Sequence, residues 1–187
     1  MVELYQNGFI LQKQHKDAYR GVEGDNWYLD YLEIGIDFYD YYDNKFISPE
    51  IDDRYIEVCT DLDFLERYIK TSEFLDIPYR LLFCETDKKL PILSQDISFS
   101  KKFLGYDYAY PSATDYYSCV YEDIITRRIP QFWDIKLNEN GLFSTIGELL
   151  EFAAHRDKLI DESKEYIYEL GDYAIYRLFE ATLTSGE

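Results

Sequence analysis

Residues 103–124 read FLGYDYAYPSATDYYSCVYEDI, and the fold class turns on how this stretch is parsed. Tyr106, Tyr108 and Tyr110 recur with a period of two, which predicts a strand over 102–110. Pro111-Ser112 breaks that strand. Beyond the break, Tyr116, Val120 and Ile124 share one helical face with Cys119 beside it, so a helix is expected over 115–127. The stretch divides a strand-rich, acidic N-terminal half from a helix-rich C-terminal half. The expected fold class is therefore α+β: a mainly antiparallel sheet packed with about three helices, at about 60–75, 115–127 and 144–163.

Upstream, Asn7-Gly8 supplies two residues suited to a tight turn, which predicts a hairpin over 2–13. A polar loop, HKDAYRGVEGDN, follows over 15–26. Over 27–38, Leu32, Ile34, Ile36 and Phe38 alternate with Glu33, Gly35 and Asp37, the pattern of a strand with one wet face. A short strand is expected over 55–59. Thr60 and Asp63 mark a helix start, with Leu62, Leu65 and Ile69 as its buried stripe and Ile77-Pro78 beyond its end. YRLLFCE, 79–85, is apolar on both faces apart from Arg80 and reads as a central strand, followed by a loop over 86–95.

Downstream, 129–143 reads as a short helix from Pro130 closed by Gly141, in preference to a hairpin over Asn140-Gly141. Over 144–163, Thr145 and Glu148 form a capping box. Ile146, Leu149, Leu150, Ala153, Ala154 and Ile160 are expected on the buried side of that helix. DYAIYRLFEA, within 172–181, reads as a strand returning to the sheet.

The 187 residues contain no linker and are expected to form a single domain, 1–187. Twenty tyrosines bring rings that can be buried and hydroxyls that need partners, so many are expected at the edge of the core. Net charge is −18, which repels phosphate backbones and anionic membrane surfaces and attracts basic proteins. Residues 25–63 alone carry a net −10, whereas 80–102 carry +2. Cys59, Cys84 and Cys119 are odd in number, widely spaced and flanked by apolar residues. They read as small buried hydrophobes in a reducing compartment, and not as a disulfide or zinc framework. With no leader pattern and no apolar span, the expected location is cytoplasmic.

Residues that could carry chemistry are sparse. Glu151 and His155 lie one helical turn apart but lack a third ligand at a telling spacing, so they read as a helix-surface pair. Asp52 and Asp53 point to opposite faces of a strand. No GxSxG and no glycine-rich phosphate loop occurs, so an enzyme is disfavoured, and no cofactor, catalytic residue or metal site is assigned. Arg127-Arg128 reads as a pair of salt-bridging cations.

The run DNWYLDYLEIGIDFYDYYDN, 25–44, interleaves aromatic rings with carboxylates. Tyrosine offers large contact area at small entropic cost, and carboxylates steer a basic partner. The candidate partner-binding residues are Asp37, Tyr39, Asp40, Tyr41, Tyr42 and Asp43.

Two fragments, FLGYDYAYPSATDYYSCVYEDI and LNENGLFSTIGELLEF, cover about a fifth of the chain. Their texture (GYD-aromatic-P, then YYS, then NGLF) resembles segments of small cytosolic immunity proteins of bacterial toxin systems. The resemblance implies a binding protein that blocks a toxin, often a basic nuclease, and it carries no functional residues over. The expected partner is thus a basic protein, a toxin domain, with neither nucleic acid nor membrane involved. Two alternatives remain open: a DNA-mimic inhibitor of a nucleic-acid-binding enzyme, and a small hydrolase or transferase.

Overall fold

A computed structural model describes residues 2–13, 79–88, 99–111, 116–162 and 173–183. Five strands, β1 (Tyr5–Lys13), β2 (Tyr79–Thr86), β3 (Phe99–Pro111), β4 (Tyr116–Ser118) and β5 (Ala174–Leu183), form one sheet in the order β1-β2-β5-β3-β4. Every pairing is antiparallel. Among these residues one α-helix, α1 (Ile146–Glu162), packs on the sheet at β3. A π-helical turn (Tyr121–Thr126) and a 3-10 turn (Pro130–Phe132) lie between β4 and α1. The α+β class holds among these residues. The strand expected at 79–85 is central, flanked by β1 and β5. The last strand, β5, is inserted between β2 and β3.

Both faces of the sheet are buried because alternate residues on either side are apolar. Ile10, Leu82, Cys84, Ala109, Ala174, Tyr176 and Leu178 form one core, joined by Leu104 and Leu142. On the other face Ile175 meets Leu149 and Phe152 of α1, together with Cys119, Val120, Ile129, Phe132 and Phe143. Farther along the strands, Phe9, Phe83, Phe99 and Phe179 stack in tilted and edge-on contacts. Each fully buried Leu or Phe contributes about 1.5–3 kcal/mol, so these layers hold the sheet.

Several expectations are corrected. Residues 2–13 do not form a hairpin. Asn7-Gly8 sits inside β1 at a bulge between Gln6 and Gly8, and Gly8 does not adopt the positive φ of a tight turn. Pairing along β2 and burial of Phe9 and Ile10 outweigh the local turn preference. Residues 116–118, expected to open a helix, pair with β3 instead, Tyr116 opposite Pro111 and Ser118 opposite Ala109.

The helical part that follows widens into a π-turn, in which the Arg127 amide donates to the Glu122 carbonyl at 2.8 Å. The extra residue per turn lets adjacent Glu122 and Asp123 both face inward, each toward its own arginine. The helix expected from Pro130 to Gly141 stops after Phe132. The Asn138 amide then donates to the Leu142 carbonyl (2.8 Å) and the Gly141 amide to the Asn138 carbonyl (3.0 Å), closing a tight loop with Gly141 at φ 71°.

That loop docks on a second bulge. Between Phe103 and Gly105 the β3 register shifts against β5. The shift turns Leu104 into the core and leaves its carbonyl free of the ladder. Asn138 Nδ2 donates to that carbonyl at 2.8 Å, while Asn138 Oδ1 accepts from the Asn140 and Leu142 amides. A bridge between Tyr106 and Phe143 completes the junction. The two fragments that carry the resemblance therefore meet at this bulge.

The helix expected at 144–163 is present as α1, and its capping box is formed. Glu148 Oε2 accepts from the Thr145 amide and hydroxyl, each at 2.9 Å, and Thr145 Oγ1 accepts from the Glu148 amide at 3.2 Å. Thr145→Ala should cost about 1 kcal/mol, seen as a lower urea midpoint at unchanged slope. An unchanged midpoint would mean that packing alone holds this end of the helix. The buried stripe differs from the expected one. Leu149, Phe152, Ala153 and Arg156 face inward, whereas Leu150 and Ala154 are exposed. The strand expected over 27–38, the short strand at 55–59 and the helix at 60–75 lie outside the described residues.

Candidate functional site

Asp37, Tyr39, Asp40, Tyr41, Tyr42 and Asp43 all lie outside the described residues. What the structure does assemble is a buried polar cluster, where β3, β4, the π-turn, α1 and the start of β5 meet. At its centre Arg156 Nε donates to Asp123 Oδ2 at 2.6 Å, with both side chains only 1% exposed. Arg156 Nη2 reaches the Tyr173 hydroxyl at 3.3 Å, and the guanidinium lies 4.4 Å from the Tyr173 ring centroid. Tyr173 stacks in turn on Tyr108, centroids 5.3 Å apart. Nearby, buried Asp107 accepts from the Ser118 hydroxyl and from the Tyr108 amide, each at 2.8 Å. The Cys119 thiol donates to the Tyr108 carbonyl at 2.9 Å.

The electrostatics of this cluster suit a fastener. Burial raises the Asp123 carboxyl pKa, and Arg156 opposes that rise. Burial also drives the Cys119 thiol well above the ordinary range, so it is a neutral apolar group and not a nucleophile. Tyr108 is pushed up to about 12, first by burial and then by the charge of Asp157. Tyr173 rises for the same first reason. Cys119, Tyr108 and Tyr173 therefore keep their protons at neutral pH, and the Arg156–Asp123 ion pair among them holds the π-turn against the helix and sheet.

A second polar group lies on the aromatic ladder. Glu85 accepts from Lys101 at 2.9 Å and from Arg177, and Lys101 Nζ sits 4.4 Å from the Phe179 ring centroid. Shared cations over aromatic rings tie β2, β3 and β5 together. Arg127 pairs with Glu122 at 2.8 Å, as its sequence context suggested. His155 is exposed and lies edge-on to Phe132, centroids 5.6 Å apart. Among the described residues no group of three or more His, Cys, Asp or Glu could hold a metal ion, and no helix is long and apolar enough to cross a membrane.

The surface shows two features that the sequence reading passed over. The outer side of α1 presents Glu148, Glu151, Asp157, Asp161 and Glu162 to solvent against Lys158, so the acidity of the chain continues into this element. Trp133 is 71% exposed. Arg156 was missed as well. Its signal was present, since it falls one turn after Phe152 and two after Leu149, on the buried stripe. No protein-family model, no curated protein and no solved structure matches the chain.

Proposed function

We propose that this chain is an acidic, cytoplasmic protein-binding module, an immunity protein that binds a cognate bacterial toxin domain and blocks it stoichiometrically. The observation that carries the reading is the distribution of charge. The −18 total is concentrated at −10 over 25–63, and five carboxylates line the outer side of α1. Such a field accelerates encounter with a basic protein and discourages nucleic acid and anionic membranes. In this reading the chain is one domain, with a further helix at 60–75. Asp37, Asp40 and Asp43 steer association, and Tyr39, Tyr41 and Tyr42 anchor it. Blocking works by occlusion and needs no cofactor.

Reversing Asp37, Asp40 and Asp43 to Lys should slow association with the cognate toxin domain by roughly tenfold or more at low salt, and should flatten its salt dependence. Surface plasmon resonance across a salt series reads both. Unchanged kinetics would move the interface away from these residues. Failure of the two purified proteins to form any complex at low salt would defeat the proposed function itself.

A further inference from the structure

Trp133 is the largest exposed apolar side chain among the described residues, at 71%, and no described aromatic ring packs on it. It is nevertheless held in place. Its indole N–H donates to the Arg128 carbonyl at 2.6 Å. Arg128 presents that carbonyl from the left-handed region, φ 50°, a conformation that a non-glycine residue adopts only where its surroundings impose it.

Those surroundings are visible. The Ile129 amide is tied to the Asp123 carbonyl (3.0 Å) and the Phe132 amide to the Ile129 carbonyl (2.9 Å). Phe132, buried beside the tryptophan, is wedged against Phe152 of α1 at 4.9 Å between centroids. The turn thus points one aromatic residue into the core and the next into solvent.

We infer that Trp133 is a preorganised anchor for the toxin domain, inserting its indole into an apolar pocket on that protein. This rests on the proposed function and adds a contact outside the acidic tyrosine run. A rigid, exposed tryptophan gives up little conformational freedom on binding, and tryptophan is among the residues most enriched at interface hot spots. Because its N–H is already bonded, the receiving pocket needs apolar walls and no acceptor. A second copy of this chain is disfavoured as the occupant, because two molecules each carrying −18 repel.

The test measures binding of the cognate toxin domain to wild type, Trp133→Ala and Trp133→Phe, with circular dichroism confirming that each variant is folded. Trp133→Ala should weaken the complex by about 30-fold or more, mainly through faster dissociation, while Trp133→Phe keeps most of the affinity. With Trp27→Phe in place, Trp133 is the sole tryptophan, and its emission should shift to the blue when the toxin domain is added. Wild-type affinity in Trp133→Ala would overturn the anchor and leave the proposed function standing. No complex with the wild type would overturn both. A shift that follows this chain's own concentration would assign the tryptophan to self-association and overturn the inference.

Discussion

Asp123→Ala should destabilise the protein by about 3–5 kcal/mol, the cost of breaking a buried ion pair by removing one partner. The partner left behind is Arg156, 1% exposed, and a guanidinium cannot shed its charge at any ordinary pH. The loss is a large share of the whole stability of a small protein. Arg156→Met should also destabilise, but its deficit should depend on pH. There the remaining group is a carboxyl whose pKa burial already raises, and removing the arginine raises it further. The folded state then binds a proton more readily than the unfolded one, so stability is regained as pH falls through the folded pKa. Urea unfolding at successively lower pH below neutrality should show the Arg156→Met deficit shrinking while that of Asp123→Ala persists. The double variant Asp123→Leu/Arg156→Met should recover most of the loss, since an apolar pair can replace a buried ion pair. Single variants within about 0.5 kcal/mol of wild type would mean that this contact does not fasten the π-turn.

Gly105→Ala should cost about 3 kcal/mol, from a close contact and backbone strain together. Gly105 sits at φ 152° directly after the β3 bulge, and a Cβ there would lie 2.6 Å from Leu142 Cβ and 2.8 Å from the Phe143 carbonyl oxygen. Neither neighbour can yield easily. Leu142 belongs to the core, and that carbonyl accepts from the Tyr106 amide at 2.9 Å. For a chain of this size the melting temperature should fall by very roughly 10 °C. Leu142→Ala should not rescue the variant, because the clashing atom is the Cβ that alanine retains. Amide exchange at Tyr106 reports the same event locally and should speed up in Gly105→Ala. Unchanged exchange and stability would show that the loop can retreat from the bulge at little cost.

Much of the fold could be read before the structure, for reasons that lie within single segments. YRLLFCE is apolar on both faces, and a strand of that kind is stable only with neighbours on either side. The capping box of Thr145 and Glu148 is complete within four residues, so nothing distant can change its meaning. The bulge at Leu104 was not legible in the sequence: it brings Phe103 and Tyr106 onto one face, in edge-on contact at 5.2 Å, although an odd spacing should place them on opposite faces. The misread segments share a different cause. Asn7-Gly8 carries a strong local turn signal, and Tyr116 to Ile124 a plausible helical spacing. Pairing with another strand prevailed across the first segment and over residues 116–118 of the second, and a partner strand is not visible from within the segment.

The same division separates surface from interior. The sequence by itself determined the charge of the chain and its concentration toward the N-terminal half, because charge is a sum over residues and needs no geometry. It also determined strand, helix and cap wherever periodicity and a few neighbours suffice. Only the tertiary structure decided that β5 enters the centre of the sheet, that Asn138 finds the carbonyl freed at Leu104, and that Arg156 is buried against Asp123 while Trp133 is left in solvent. Each of these depends on contacts between residues far apart in the chain. Whether an arginine is a surface cation or a buried clasp, and whether a tryptophan is core or anchor, is fixed by what those distant residues place beside it.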